Sequence, residues 1–454
     1  MPATPTSQVS MPKVAFASFI GTLIEFFDMF IFSTASALVF NKIFFPSLDP
    51  LAGTLAAFAA FGVAFVVRPL GGVVFGHFGD RVGRKKMLVT SLVLMGTGTA
   101  AVGLLPTYAQ IGIWAPILLV ATRLLQGLAI GGEWSGAVLM AVEHAPKSRR
   151  AFYGSWPLCG VPGGLVLATI AFYVIGLLPE EQMMSWGWRV PFLASAVLLL
   201  IGLYIRLRIS ESPAFKAVQK NKREVEFPAL EVVRNAGKGV VIAILAMAAN
   251  SVFFYMATVF ALSYGERQGA SRGLILIAVM CAAAAQIVTL PIAAVLADRY
   301  GRRPVMIAGC LIGAASAFPI FWLLDTTNFF AILAAMVLAI PVVHSLTYAP
   351  MASFISELFE TRLRYSGSAM GYQFGSMLWS APVPFVSAAL FAWAGQSWPL
   401  SVYMLVGTLV SIGAIWWARE TFRDEITEFD QPPAAGTASS TRHVSVEHTA
   451  SSGL

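Results

Sequence analysis

Two carboxylates three residues apart, Glu25 and Asp28, sit in the apolar run Gly21-Thr22-Leu23-Ile24-Glu25-Phe26-Phe27-Asp28 and therefore share one helical face. Arg123 stands in a second apolar run with Gln126 and Gly127 behind it, Glu133 follows in Gly131-Gly132-Glu133-Trp134, and Arg68 lies deep in a third run. Ionisable groups in hydrocarbon are costly and by default mark a pathway or a site. A carboxyl whose charge is opposed by desolvation and favoured by a nearby arginine is suited to take up and release a proton. Glu25, Asp28 and Glu133 are accordingly the proton-site candidates, and Arg123 and Arg68 are places for an anionic ligand. The competing reading is a permanent ion-pair network that only locks helices together.

The later part of the chain offers neutral polar groups at comparable depth: Asn250, Tyr255, Gln286, His344, Tyr348, Tyr372, Gln373 and Trp379. Such groups hydrogen-bond a ligand or one another across helices. Asn250, Tyr255, Gln286, Tyr348, Tyr372 and Gln373 are taken as ligand-selecting residues. His344 alone among them titrates near neutral pH in its ordinary state, but a lone buried histidine is more often a packing residue.

These residues need helices that cross a bilayer. The 454 residues are 57% hydrophobic and only 12% charged, far from the quarter or so of charged residues usual in soluble domains. The net charge of +7 and the pI near 9.4 come from basic residues in short loops between apolar runs, so they orient the chain in a membrane and do not indicate nucleic acid. The three cysteines, Cys159, Cys281 and Cys310, are scattered singly and form neither a disulfide framework nor a metal set. Met1–Ser10 is polar and uncharged, which gives no secretory signal.

Runs of ~20 apolar residues predict ~12 spans, at about 14–40, 51–78, 85–105, 112–143, 149–178, 188–208, 238–265, 271–297, 303–323, 328–358, 362–394 and 397–418. Glu25 and Arg123 each fall about eleven or twelve residues, or ~17 Å, from the ends of their spans. Both lie near the middle of a ~30 Å core, where they can meet. Val161-Pro162-Gly163-Gly164 and Ala381-Pro382-Val383-Pro384 are expected to break the fifth and eleventh spans, and Gly127, Gly131, Gly132 and Gly136 to let helices approach closely. Arg189, beside Trp186 and Trp188, reads as an interfacial anchor.

The turn Gly76-His77-Phe78-Gly79-Asp80-Arg81-Val82-Gly83-Arg84-Lys85-Lys86 is echoed by Ala294-Val295-Leu296-Ala297-Asp298-Arg299-Tyr300-Gly301-Arg302-Arg303-Pro304. Glu143, followed by Arg149, Arg150 and Gly154-Ser155, is echoed by Glu357, followed by Arg362, Arg364 and Gly367-Ser368. Two independent echoes indicate a duplicated unit. The expected organisation is a first six-helix bundle (14–208), a linker (209–237), a second six-helix bundle (238–418) and a disordered tail (419–454). Basic residues crowd the turns of one side, which makes both termini cytoplasmic. Asp80, Arg81, Arg84, Glu143, Arg149, Asp298, Arg299, Arg302, Glu357 and Arg362 are the candidates for a latch on that side, held in one state and broken in the other.

The chain resembles the major facilitator superfamily, whose turn between the second and third helices has the pattern G-x-x-x-D-R-x-G-R-[RK]-[RK]; the first copy fits throughout, and the second has Ala294 for the glycine and Pro304 for the last basic residue. Within it, the chain is similar to the metabolite:proton symporters, a group that includes shikimate, α-ketoglutarate, citrate and proline/betaine permeases. The carriers of that likeness are Gly21-x-x-x-Glu25-Phe26-Phe27-Asp28, Arg68-Pro69-Leu70-Gly71-Gly72, Arg123-x-x-Gln126-Gly127-x-x-x-Gly131-Gly132-Glu133-Trp134, Trp186-Gly187-Trp188-Arg189-Val190-Pro191-Phe192, and Glu357-Leu358-Phe359 with Arg364-Tyr365-Ser366-Gly367. It departs from the group where Phe26 and Phe27 replace the usual Trp-Tyr, at Ser135, and at Pro382 and Pro384. Phe152-Tyr153-Gly154-Ser155-Trp156-Pro157 brings it nearest the shikimate-like branch.

The resemblance implies an all-α membrane protein of two pseudo-symmetric bundles. It implies a proton-coupled importer of a small organic acid working by alternating access, as a monomer in the cytoplasmic (inner) membrane. No cofactor is expected beyond the proton gradient as energy source; the partners are the small-molecule substrate, protons and the lipid bilayer, with no nucleic acid. Rival readings are a proton-driven exporter, an osmolyte symporter of the proline/betaine kind, and a non-transporting receptor. An enzyme is not expected, since no nucleophile–base set stands out.

Overall fold

The computed structural model describes residues 11–82, 84–131, 138, 141, 142, 145–208, 228–359 and 363–420, and the regular elements among them are all helical. In hydrocarbon each backbone N–H and C=O must be bonded within the protein, so apolar runs of this length close on themselves as helices. In chain order the apolar helices are α1 (Ser18–Ile43), α2 (Pro50–Val82), α3 (Arg84–Leu104), α4 (Trp114–Ile130), α5 (Arg150–Ile175), α6 (Arg189–Arg208), α7 (Ala236–Arg267), α8 (Arg272–Tyr300), α9 (Arg302–Asp325), α10 (Phe329–Glu357), α11 (Ser366–Ala394) and α12 (Trp398–Trp417). Nine are long and apolar enough to cross a membrane, among the described residues; joining Glu180–Gly187 to Arg189–Tyr204 across a 43° bend makes a tenth. Val89–Leu104 and Trp114–Ile130 are shorter apolar helices. The chain is a multi-pass, all-α membrane protein.

Packing partners recur along the chain. Helix α1 packs along α5, α2 along α4, and α3 along α6; later, α7 packs along α11, α8 along α10, and α9 along α12. The early and late helices meet chiefly where α5 lies against α8 and α2 against α11. A π-helical turn widens α1 at Ser36–Phe40 and α7 at Met256–Phe260. Ahead of α7, the helix that starts at Pro228 kinks at Ala236 (φ −127°, ψ 17°).

Two crossings need glycine. On α4, a Cβ at Gly127 would lie 2.2 Å from the Ala64 carbonyl oxygen of α2, and one at Gly131 would lie 2.1 Å from that of Arg68. These two helices therefore touch backbone to backbone, as the glycine spacing predicts; Gly132 and Gly136 lie outside the described residues. On α5, a Cβ at Gly164 would stand 2.6 Å from the Phe27 nitrogen of α1.

The fifth helix corrects an expectation. Arg150–Ile175 runs unbroken through Pro157 and Pro162, whereas α11 is interrupted after Trp379 and resumes at Val383. A proline deletes one helical hydrogen bond, and the contact of α5 with α1 beside Pro162 carries the helix past that loss. At Ala381-Pro382-Val383-Pro384 two prolines fall close together and the ladder gives way.

Overfilling the α2–α4 crossing is expected to separate the helices. Gly127→Leu should destabilise the protein by about 1–3 kcal/mol or more, seen as a lower thermal midpoint in detergent. Gly413→Ala, at a glycine with open space around it, should leave that midpoint unchanged or raise it.

Candidate functional site

The predicted intramembrane charges come together in the interior. Glu25, Asp28, Arg68 and Arg123 are all buried, Arg123 with 1% of its surface exposed. Asp28 Oδ2 accepts a hydrogen bond from Thr99 Oγ1 at 2.9 Å. Gln126 Nε2 donates to the same hydroxyl at 2.7 Å, and Arg123 Nη1 donates to Gln126 Oε1 at 2.7 Å. Asp28 and Arg123 are thus joined by a chain through α3 and α4, and among the described residues no ion pair involves Arg123. The expected direct pairing of Arg123 with Glu25 or Asp28 is replaced by this relay. The reason is aromatic: Phe32, one turn beyond Asp28 on α1, lies 4.0 Å from the guanidinium carbon, and Phe61 lies 5.8 Å away. The cation meets α1 through a ring face, not a carboxylate. Glu25 lies within electrostatic reach of Asp28.

Thr99 was not singled out by the sequence, yet it is the pivot. Its hydroxyl carries one hydrogen and has two acceptors in reach, Asp28 Oδ2 at 2.9 Å and the Met95 carbonyl at 3.1 Å. With Asp28 charged, the hydrogen belongs on the carboxylate; with Asp28 protonated, it turns to Met95 and the threonine oxygen accepts. Asp28 Oδ1 is buried without a partner among the described residues, so the switch lies at Oδ2, where an added proton would point at the Thr99 oxygen. The only signal in the sequence was a hydroxyl in the small-residue run Gly96-Thr97-Gly98-Thr99.

Arg68 is held differently. Its Nη2 donates to the Met29 thioether at 3.5 Å, and its guanidinium carbon sits 4.0 Å over the Phe65 ring. The Tyr255 hydroxyl reaches the same sulfur from α7 at 3.8 Å. The predicted polar groups of the later helices are tied largely to one another. Phe254, His344 and Tyr348 stack with ring centroids 4.2 and 4.7 Å apart, and the hydroxyls of Tyr348 and Tyr372 are 3.4 Å apart. Gln286 donates to the Ile340 carbonyl at 3.2 Å and meets His344 Nδ1. His344 is therefore a packed ring with a partner, as expected. Asn250 accepts from Ser251, which in turn accepts from Ser380 at 3.0 Å. Gln373 Nε2 crosses to the Gly131 carbonyl of α4 at 2.8 Å. Glu133 lies outside the described residues.

At the end bearing the basic turns, Arg302 is clamped between Asp298 at 3.1 Å and Glu357 at 3.0 Å. Asp298 also accepts from the backbone N–H groups of Ala151 at 3.0 Å and Phe152 at 2.9 Å, so its carboxylate caps the start of α5. One side chain thereby binds an early helix to a late one. Glu420 caps α9 in the same way, through the N–H groups of Arg302 and Arg303. Arg149 and Arg299 are exposed and line a hollow of about 390 Å³ beside Asp298; Arg299 lies against Tyr300. Glu143 and Arg362, and the side chains of Asp80, Arg81 and Arg84, lie outside the described residues. At the opposite end, Arg189 donates to the last carbonyls of α3, Gly103 at 2.9 Å and Leu105 at 2.6 Å, and stacks on Trp188, as an anchor should.

Comparison with known proteins adds the family. A sequence profile described as the Major Facilitator Superfamily matches residues 18–384. The shikimate transporter of Escherichia coli (strain K12) is 41% identical over 405 residues, 88% of this chain and 92% of that protein. The inner membrane metabolite transport protein YhjE of the same strain is 44% identical over 388 residues, 84% of this chain and 88% of that one. In fold, the crystal structure of a D-xylose-proton symporter superposes with a TM-score of 0.71 at 18% identity, covering 92% of this chain and all of the other.

Removing the Asp298 carboxylate should open the basic end. Hydrogen bonds to a charged group contribute about 1.5–3 kcal/mol each, enough to shift a two-state balance by an order of magnitude or more. Cysteines introduced at Ser148 and Val295, both lining the hollow, in a background lacking the native cysteines, should be bridged by a short bis-maleimide. Asp298→Ala should cut that yield several-fold, and an unchanged yield would count against the latch.

Proposed function

The chain belongs to the Major Facilitator Superfamily, and on that premise we propose that it is a proton-coupled symporter that imports a small organic acid by alternating access. Its family and relatives are transporters, and it is not an enzyme. We read the twelve apolar helices as two six-helix bundles, α1–α6 and α7–α12. The repeated packing partners, the matching π turns of α1 and α7, and the echoed charged turns support this reading. The crowding of basic residues at one end supports cytoplasmic termini, and the names of the relatives support an inner-membrane site and a metabolite cargo. One chain supplies both bundles, which supports reading the working unit as a monomer.

The relay from Asp28 to Arg123 is the observation that carries the mechanism. When Asp28 is charged, the threonine hydroxyl and glutamine amide orient along the chain and Arg123 answers the charge from a distance. When Asp28 takes a proton, Thr99 turns away and the pull on Gln126 and Arg123 relaxes. Glu25, on the same helical face as Asp28, and Glu133 stand as further proton-site candidates. Substrate selection falls to Arg68 with Asn250, Tyr255, Gln286, Tyr348, Tyr372 and Gln373, which bring both bundles to one place. Alternation needs a latch at the cytoplasmic end, and Asp298, Arg302 and Glu357 have that form. Asp80, Arg81, Arg84, Glu143, Arg149, Arg299 and Arg362 complete it in the echoed turns. Gln373 and Asp298 join the two sets of helices at the basic end, and Phe30 meets Phe254 nearer the middle.

In proteoliposomes with an imposed pH gradient, wild-type uptake of shikimate or another ring acid should be concentrative and collapse on adding a protonophore. Asp28→Asn should abolish accumulation while solute exchange without a gradient persists. Thr99→Val, which preserves volume but removes the relay, should shift the pH dependence of uptake. Accumulation that ignores the protonophore would remove proton coupling from the proposal.

A further inference from the structure

The two buried arginines are not equivalent. Arg123 is enclosed by early helices, bonded through Nη1 to Gln126 and seated on Phe32, with Nε and Nη2 lacking partners among the described residues; what sets it apart is the relay that ties it to Asp28, away from the later helices. Arg68, 4% exposed, makes one hydrogen bond, and that to a thioether, a weak acceptor; its Nε has no partner among the described residues. A guanidinium carries five donors in a planar fork shaped for a carboxylate, and leaving one buried without an anion is costly. Arg68 also stands at the seam between the early and late helices. Met29, which it touches, is shared with Tyr255 of α7, and the Phe65 ring under it meets the Tyr255 ring edge-on at 5.7 Å. The hydroxyl of Tyr372 on α11 is within electrostatic reach of the guanidinium.

We infer that Arg68 is the residue that receives the substrate's carboxylate, displacing the Met29 thioether. The body of that substrate is a flat or puckered ring lying toward the Phe254–His344–Tyr348 stack, with Tyr255 and Tyr372 supplying hydroxyl contacts. This rests on the organic-acid reading above and divides its labour: Arg68 binds cargo and Arg123 serves the proton site. It also gives the cargo a mechanical part. A molecule bonded to Arg68 on one side and to the tyrosines on the other joins both sets of helices, so its binding favours the closed arrangement over either open one.

The test uses the full-length protein in detergent, with shikimate and benzoate as acid probes and their methyl esters as matched neutral probes. Wild type should prefer each acid over its ester by about 10- to 100-fold, the range of charge-assisted hydrogen bonds. In Arg68→Met that ratio should fall to near 1 while the unliganded thermal midpoint is kept; in Arg68→Lys, which keeps charge but loses the fork, it should fall part of the way. Arg123→Met should retain the acid preference in binding and lose proton-driven accumulation. An acid preference that survives in Arg68→Met and Arg68→Lys, or that vanishes in Arg123→Met alone, overturns the assignment. A lower unliganded midpoint in Arg68→Met with an unchanged ratio makes Arg68 a structural lock and also overturns it. If wild type binds neither acids nor esters, the organic-acid reading itself falls, and this assignment with it.

Discussion

A charge inside hydrocarbon has to be answered by the protein itself, because no water is at hand to do it. Among the described residues, Asp28, Arg123, Arg68, Asp298 and Arg302 are answered in different ways, and the differences sort these groups by role. Asp28 is answered by a hydroxyl that can turn, Arg123 by an amide and a ring, and Arg68 by a sulfur atom and a ring. Asp298 and Arg302 are answered by each other, by Glu357 and by the bare start of a helix. The fixed pairs are at the end of the molecule, and the loosely satisfied groups are at its middle. Loose satisfaction is what a site that must exchange partners requires.

The same contrast appears in the packing. Within the early helices, α2 and α4 touch backbone to backbone at Gly127 and Gly131, and α1 and α5 do so at Gly164, which leaves little freedom to slide. Between early and late helices, the polar contacts among the described residues are few and specific: Asp298 to α5, Gln373 to Gly131, Tyr255 to Met29, Arg272 to Met183 and Cys159 to the Ile287 carbonyl. A molecule built this way moves as bodies joined by a small number of breakable bonds.

Much of this was legible in the residues. Apolar runs and basic turns gave the membrane class and helix order, because hydrophobic length and the placement of lysine and arginine are direct physical consequences of the bilayer. The cost of a charge facing lipid marked Glu25, Asp28 and Arg123 for the interior, and all three are buried there. What depth could not supply is the direction of a long side chain: Phe32 and Gln126 decide where the Arg123 guanidinium goes, and while Gln126 stood out beside Arg123, nothing in the spacing marked Phe32 as the ring beneath it. Thr99 was hidden for the same reason. Pro162 misled because a proline weakens a helix locally while neighbouring helices decide whether it breaks. The role of Glu420, and the choice of α5 as the target of Asp298, depend on contacts more than a hundred residues apart in the chain, which no local spacing encodes.

The grip of Asp298 on Ala151 and Phe152 is a grip on main-chain amides, which every residue but proline supplies alike. Its loss at that contact cannot be repaired by reversing a charge on an opposing side chain, because the opposing group has no side chain to exchange. Second-site revertants of a damaged Asp298 should therefore gather elsewhere along the α5–α8 seam or at the far end of the molecule, where weakening the contrary closure restores the balance between the two openings.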